Sequence, residues 1–86
     1  MYYTYILISE DGARTYTGVT SDIDRRLKEH NSGKEKSTRP HLPYKVLYVE
    51  SHETMTSARR KEVYFKSTSG RREIRQFLIN YKQGRL

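Results

Sequence analysis

The first nine residues already set a pattern. Residues 2–9 (YYTYILIS) are dense in β-branched and aromatic side chains and predict a strand. Glu10-Asp11-Gly12 supplies turn chemistry, Asp-Gly being a common hairpin signal. Residues 14–20 (RTYTGVT) predict the returning strand. Side chains alternate along a strand. Tyr3, Tyr5 and Leu7 therefore share one face of the first strand, and Arg14, Tyr16, Gly18 and Thr20 one face of the second.

The period then changes. Ser21 or Asp22 can cap a helix that runs to about Asn31, with Asn31-Ser32-Gly33 as its stop. Ile23, Leu27 and His30 recur at i, i+4 and i+7 and mark the inward stripe of that helix. Residues 34–43 (KEKSTRPHLP) form a polar loop longer than most connections, and long loops are often functional. Residues 44–51 (YKVLYVES) predict a third strand. Thr54 caps a second helix over about 55–67, and Gly70 is expected to break it. A third helix follows over about 71–82, with Ile74, Phe77, Leu78 and Tyr81 on one face. The order is ββαβαα. The expectation is an α+β fold, with three helices flanking a small, mainly antiparallel three-stranded sheet, in a single domain spanning residues 1–86.

Composition adds three constraints. Hydrophobic content of 34% and charged content of 31% lean towards disorder, but eight Tyr, two Phe and the periodicity argue for a folded chain. There is no Cys, which excludes disulfides and thiolate metal sites. No apolar run approaches the ~20 residues of a membrane span. The N-terminus lacks the basic start and small-residue cleavage site of a signal peptide. A reducing, cytoplasmic location is the expectation.

The formal net charge is +7, and it is not spread evenly. Residues 1–53 carry eight Lys/Arg and eight Asp/Glu, whereas residues 54–86 carry nine Lys/Arg against Glu62 and Glu73. All the excess charge lies in the second part of the chain. Such a localised basic surface attracts polyanions, most often nucleic acid, although it can also serve only as a solubilising face.

Two charged residues stand out against the periodicity. Arg26 lies beside the inward stripe of the first helix, while Arg25 points about 100° away. A guanidinium at the edge of a buried face can grip phosphate in bidentate fashion, or can pack its stem while its head reaches water. In the second helix, Met55, Ala58, Glu62 and Phe65 follow the spacing of one face, and Glu62 is the charged member. A carboxylate turned towards a core requires pairing or a metal, so Glu62 is either a metal ligand or half of an ion pair, for which Arg26 is a candidate partner. One carboxylate suffices for Mg²⁺, which keeps several waters and takes other ligands from substrate phosphate. Tyr5 and Tyr16 can be neighbours across the hairpin. Gly18 leaves room beside them for substrate or for Arg26. Tyrosines in strands are commonly packing residues, so neither carries a function alone.

The segments YYTYILIS, YTGVTSDIDRRLKEHNSG, KSTR and YKVLYVE, followed by ARRKEVYFKS and a Gly-Arg pair, together resemble the GIY-YIG nuclease superfamily. The closer likeness is to its small single-domain bacterial branch, related to the N-terminal nuclease domain of the nucleotide-excision-repair subunit UvrC. The spacing YTG-x7-R-x3-H, from Tyr16 through Arg26 to His30, is specific. The resemblance implies that Tyr5 and Tyr16 are the motif tyrosines, one of which takes a proton from the attacking water. It also implies that Arg26 stabilises the pentacovalent phosphate, that His30 is an active-site histidine, and that Glu62 binds a Mg²⁺ or Mn²⁺ cofactor. The first motif departs from the family by reading Tyr3-Thr4-Tyr5, and the second by reading Tyr16-Thr17-Gly18 with Val19 where some relatives place Lys. Asn80 is the one candidate for the supporting Asn of larger relatives.

The expected function is thus metal-dependent endonucleolytic hydrolysis of DNA, with nicked, branched or flapped DNA of repair and recombination as candidate substrates and RNA left open. Nucleic acid would be held by Gly18, Lys36, Arg39, Arg59, Arg60, Lys66, Arg71 and Arg72. The rival expectation is a non-catalytic nucleic-acid-binding module that kept the fold. A protein-interaction domain is a third, and leaves the stripe-facing Glu62 unexplained.

Overall fold

The apolar run at the N-terminus takes the position that buries both of its faces. In a computed structural model describing residues 1–84, β1 (Tyr2–Ser9) lies between β2 (Thr15–Thr20) and β3 (Tyr44–His52). All pairings are antiparallel and the sheet order is β2-β1-β3. Every residue of β1 from Thr4 to Ser9 is buried. The helices are α1 (Ile23–Asn31), α2 (Met55–Phe65) and α3 (Thr68–Lys82). The predicted α+β architecture and its ββαβαα order are therefore observed. Among the described residues no helix is long and apolar enough to cross a membrane.

Alternation along β1 divides the molecule. Tyr5 and Leu7, with Tyr44, face α1 and pack against Tyr16, Ile23, Leu27, Leu42 and Val46. Ile6 and Ile8 face the other way and pack with Leu47, Phe65, Phe77 and Leu78 beneath α2 and α3. A bulge adjusts the second face. Ile6 pairs with Tyr48 but Leu7 with Val46, so Leu47 is the extra residue on β3 and joins the Ile6 side.

The helix ends follow from side-chain caps. Asp22 is the residue that caps α1, accepting the N–H of Arg25 at 3.1 Å. At the other end, the Asn31 amide donates to the Tyr44 carbonyl at 2.9 Å and accepts its N–H at 2.7 Å. One side chain thus fixes the C-terminus of α1 to the start of β3. Thr54 caps α2 by accepting from Ser57 N–H, as its position in the sequence predicts.

Two expectations are corrected. Gly70 does not break α2: the chain turns at Lys66-Ser67, and Gly70 lies inside the first turn of α3, its N–H bonded to the Ser67 side chain. Gly70 is required for space rather than conformation, because a Cβ there would lie 1.9 Å from the Tyr64 carbonyl oxygen and 2.4 Å from Phe65 Cα. The inward stripe of α2 is also shorter than its spacing suggests. Ala58 and Phe65 are buried, but Met55, in the first turn of α2, is 43% exposed.

Candidate functional site

The α1 face of the sheet buries polar aromatic groups where the opposite face buries hydrocarbon. Tyr5 lies directly across from Gly18 in the β1–β2 register. The space above Gly18 is taken by Tyr5 itself: a Cβ at position 18 would meet the Tyr5 hydroxyl at 2.6 Å. Gly18 therefore makes room for a tyrosine ring, not for Arg26 as the sequence allowed. Tyr16, opposite Leu7, stacks diagonally on Tyr5 with centroids 6.3 Å apart and meets His30 edge-on at 4.6 Å.

Hydrogen bonds join these rings to α1. Arg26 Nε donates to the Tyr5 hydroxyl at 3.3 Å. The same hydroxyl lies 3.3 Å from His30 Nε2. His30 Nδ1 lies 3.1 Å from Thr38 Oγ1, and the Thr38 hydroxyl donates to the Glu35 carbonyl. Arg26 is further held by Glu29 at 3.3 Å on its own helix and by Glu35 at 3.2 Å from the loop. Both pairs are about one-third exposed, so they orient the guanidinium without binding it tightly.

Burial sets the protonation states. It raises the Tyr5 hydroxyl above its usual pKa of 10.0, against the opposing pull of the Arg26 guanidinium; the neighbouring Tyr16 and Glu62 add to the rise. Burial lowers His30 below 6.5, and the positive charge of Arg26 lowers it further, so the imidazole is neutral at pH 7. For Arg26, burial opposes the charge, but contacts with Tyr5 and Glu29 outweigh it and keep the group protonated.

Glu62 approaches from α2. Its side chain is only 17% exposed, and its partners are Arg59 at 3.7 Å and Lys66 at 3.2 Å on the same helix. Among the described residues no Glu62–Arg26 ion pair is present, so the pairing open in the sequence is not made. The charge of Glu62 adds the smallest of the contributions that raise the Tyr5 hydroxyl. No three His, Asp or Glu side chains converge to hold a metal among the described residues.

The predicted basic residues lie at the surface. Lys36, Arg39, Arg59, Arg60, Lys66, Arg71 and Arg72 are all exposed, with Arg39 Nε bonded to the Gly33 carbonyl. Lys61 is not free in the same way, since it lies over the Tyr64 and Phe65 rings and beside Glu50. Asn80 bonds to Gln76 along α3. Sequence reasoning missed Glu29, Glu35 and Thr38. Glu29 was readable as an i+3 partner of Arg26. Glu35 and Thr38 lie in an aperiodic loop, signalled by its length and, for Thr38, by the KSTR segment of the resemblance.

Comparison with known proteins decides the family. Residues 1–75 match the family described as GIY-YIG catalytic domain. The chain belongs to that family. Among its relatives, a UPF0213 protein of Bacillus licheniformis is 39% identical over 84 residues, which is 96% of this chain and 86% of that protein. A UPF0213 protein of Streptococcus agalactiae serotype V is 48% identical over 65 residues, covering 74% of this chain and 73% of the other. The solution NMR structure of the UPF0213 protein from Bacillus halodurans is 38% identical and superposes with a TM-score of 0.52, over 88% of this chain and 82% of that one. The Tyr5, Tyr16, Arg26, His30 and Glu62 positions all fall inside the matched segment. Membership in the GIY-YIG family implies a nuclease domain acting on nucleic acid.

Proposed function

We propose that the chain is a divalent-metal-dependent endonuclease that hydrolyses DNA phosphodiester bonds, with nicked or branched DNA as its substrate class. The observation that carries this reading is the linked group Arg26–Tyr5–His30, with Tyr16 stacked against it. A purely structural core has no need of a guanidinium and a neutral imidazole converging on one buried tyrosine hydroxyl.

Arg26 is the transition-state residue. Its terminal nitrogens pair with the partly exposed carboxylates of Glu29 and Glu35, which a phosphate can displace. Charge developing on the non-bridging oxygens is then stabilised by a fixed donor. Water attacks phosphorus from the side opposite the leaving oxygen. One P–O bond forms, the bond to the 3′-oxygen breaks, and that oxygen takes up a proton, giving 3′-hydroxyl and 5′-phosphate ends. The proton lost by water enters the Tyr5–His30 network, with Tyr16 packing the water-facing side.

Glu62 fits a single-carboxylate cation site. It is mostly buried, and its ion pairs with Arg59 and Lys66 are to exposed side chains that can move aside. Mg²⁺ or Mn²⁺ held by Glu62 would supply Lewis-acid stabilisation of the scissile phosphate. The exposed Lys36, Arg39, Arg59, Arg60, Lys66, Arg71 and Arg72 hold the backbone, and Gly18 keeps Tyr5 in place. Such contacts give salt-dependent affinity with little sequence choice. The soluble work of such an enzyme lies with cytoplasmic DNA.

The test is nicking of plasmid and branched DNA with Mg²⁺ or Mn²⁺. Arg26→Ala and Glu62→Ala should each reduce cleavage by about 100- to 1,000-fold while leaving the fold intact. DNA binding with no metal-dependent cleavage would favour the non-catalytic module instead.

A further inference from the structure

The hydrogen bonds around His30 favour one direction. The Thr38 hydroxyl donates to the Glu35 carbonyl at 3.3 Å, beside the Arg39 N–H that the same oxygen accepts at 3.0 Å. Thr38 Oγ1 then meets His30 Nδ1 as an acceptor, which makes Nδ1 the protonated nitrogen. His30 Nε2 is left with its lone pair facing the Tyr5 hydroxyl. Tyr5 can in turn donate to His30 while accepting from Arg26 Nε–H. Run in reverse, the chain gives Tyr5 two donors and leaves its own buried proton with no acceptor among the described residues. His30 and Thr38 are both fully buried or nearly so, at 0% and 1% exposure, so water does not substitute for either contact.

We propose that Thr38 is a positioning residue of this site: by accepting from His30 Nδ1–H it holds the imidazole in the tautomer whose Nε2 can take the proton of Tyr5. The catalytic consequence rests on the nuclease reading above; the tautomer does not. With this arrangement Tyr5 need not exist as a free tyrosinate, which its burial disfavours. Water gives a proton to Tyr5 as Tyr5 gives its own to His30 Nε2. The imidazole becomes doubly protonated and the tyrosine stays neutral. The groups around His30 are Arg26 and Glu29 on α1, Tyr5 on β1, Tyr16 on β2, and Glu35 and Thr38 in the loop. Thr38 thereby gives the long polar loop a role apart from its cationic residues.

Thr38→Val removes the hydroxyl at nearly constant shape, and Thr38→Ser restores it. The experiment is nitrogen NMR of the imidazoles in the full-length, isotopically labelled protein, at a pH where His30 is neutral. Plasmid nicking by the same samples is measured in parallel. The wild type should show Nδ1–H for His30. Thr38→Val should shift it to Nε2–H, donating to Tyr5, and slow nicking by about 10- to 100-fold. Thr38→Ser should recover both. An Nε2–H tautomer in the wild type overturns the proposal. So does a Thr38→Val protein that loses activity with its tautomer unchanged, since Thr38 would then be a packing residue only. A tautomer switch in a protein that cleaves no DNA supports the placement of Thr38 and overturns the nuclease reading alone.

Discussion

The two faces of the sheet are built from alternate residues of the same strand, yet they solve different problems. On the α2/α3 face, Ile6, Ile8, Leu47 and Phe65 form a hydrocarbon core, completed by Phe77 stacked on Tyr48 at 4.7 Å. Its packing is mainly apolar, with the buried Thr4 hydroxyl donating to the Ala58 carbonyl of α2 at 2.7 Å. On the α1 face, Tyr5, His30 and Thr38 are equally buried but are joined through polar atoms. The first face gains its stability from area removed from water, which is tolerant of shape-preserving exchange. The second is satisfied only as a complete network, because each buried polar atom left alone is penalised. The contrast teaches where function can reside: in the face whose geometry is over-determined, resting on a face that supplies stability.

That contrast can be tested by damage to either side. The largest effect is expected from Phe65→Ala, which opens a cavity between Ile6, Ile8 and Phe77 and should lower stability by about 3–5 kcal/mol in denaturant unfolding. Whatever protein remains folded should still nick DNA, because Phe65 touches no member of the Tyr5 cluster. Selective loss of turnover in the folded fraction would show that the faces are not separable. Gly18→Ala comes next. The added methyl meets the Tyr5 hydroxyl at 2.6 Å and Tyr16 at 3.2 Å, so the ring must move away from Arg26 and His30. About 1–3 kcal/mol of destabilisation is expected, together with loss of nicking. An active, undisturbed Gly18→Ala protein would contradict the packing described for Tyr5.

A subtler pair compares one hydroxyl on each face. Tyr5→Phe leaves Arg26 Nε and buried His30 Nε2 without their partner and should lower stability by about 1–3 kcal/mol. Tyr48→Phe removes a hydroxyl that donates to part-exposed Glu50, and should lower it by about 0.5–1.5 kcal/mol. Equal losses would mean that the α1 network is no more demanding than an ordinary surface hydrogen bond. The smallest expected effect is a pH dependence. Burial, then Arg26, lowers the folded-state pKa of His30 below its unfolded value of 6.5. As pH falls through 6.5 the unfolded chain binds a proton that the folded chain still refuses. This contribution to stability is therefore complete above about pH 6.5 and is lost as pH falls through the lower, folded value. The Tm of the wild type should fall between pH 7 and pH 5, and more steeply than that of His30→Gln. Parallel Tm curves for the two proteins would remove His30 as the cause.

Much of this was legible because it is local. Strand alternation placed Tyr5 and Leu7 on one side and Ile6 and Ile8 on the other before any contact was known. Helical spacing put His30 inward and Arg26 beside it. The basic second half and the single stripe-facing Glu62 were likewise visible, and the resemblance named the family that the comparison then showed. What failed did so at places where one element meets another. Gly70 read as a breaker because a glycine after a periodic run usually is one, whereas here the turn is made by Lys66-Ser67 and Gly70 fits α3 against Tyr64. Met55 read as inward because periodicity does not show which turns of a helix are covered. Thr38 and Glu35 carried no period at all.

The sequence by itself determined the elements, their order, the two faces of β1 and the identities of the side chains that can do chemistry, because those depend on periods of two and 3.6 residues within short windows. The tertiary structure decided which of those side chains meet. Glu62 pairs within its own helix and not with Arg26. Gly18 yields its space to Tyr5. A loop residue fixes the direction of the hydrogen bonds through His30. The contacts of Gly18 with Tyr5 and of Thr38 with His30 join residues 13 and eight apart, and they follow from how the strands, helix and loop are laid against one another, which no short window along the chain contains.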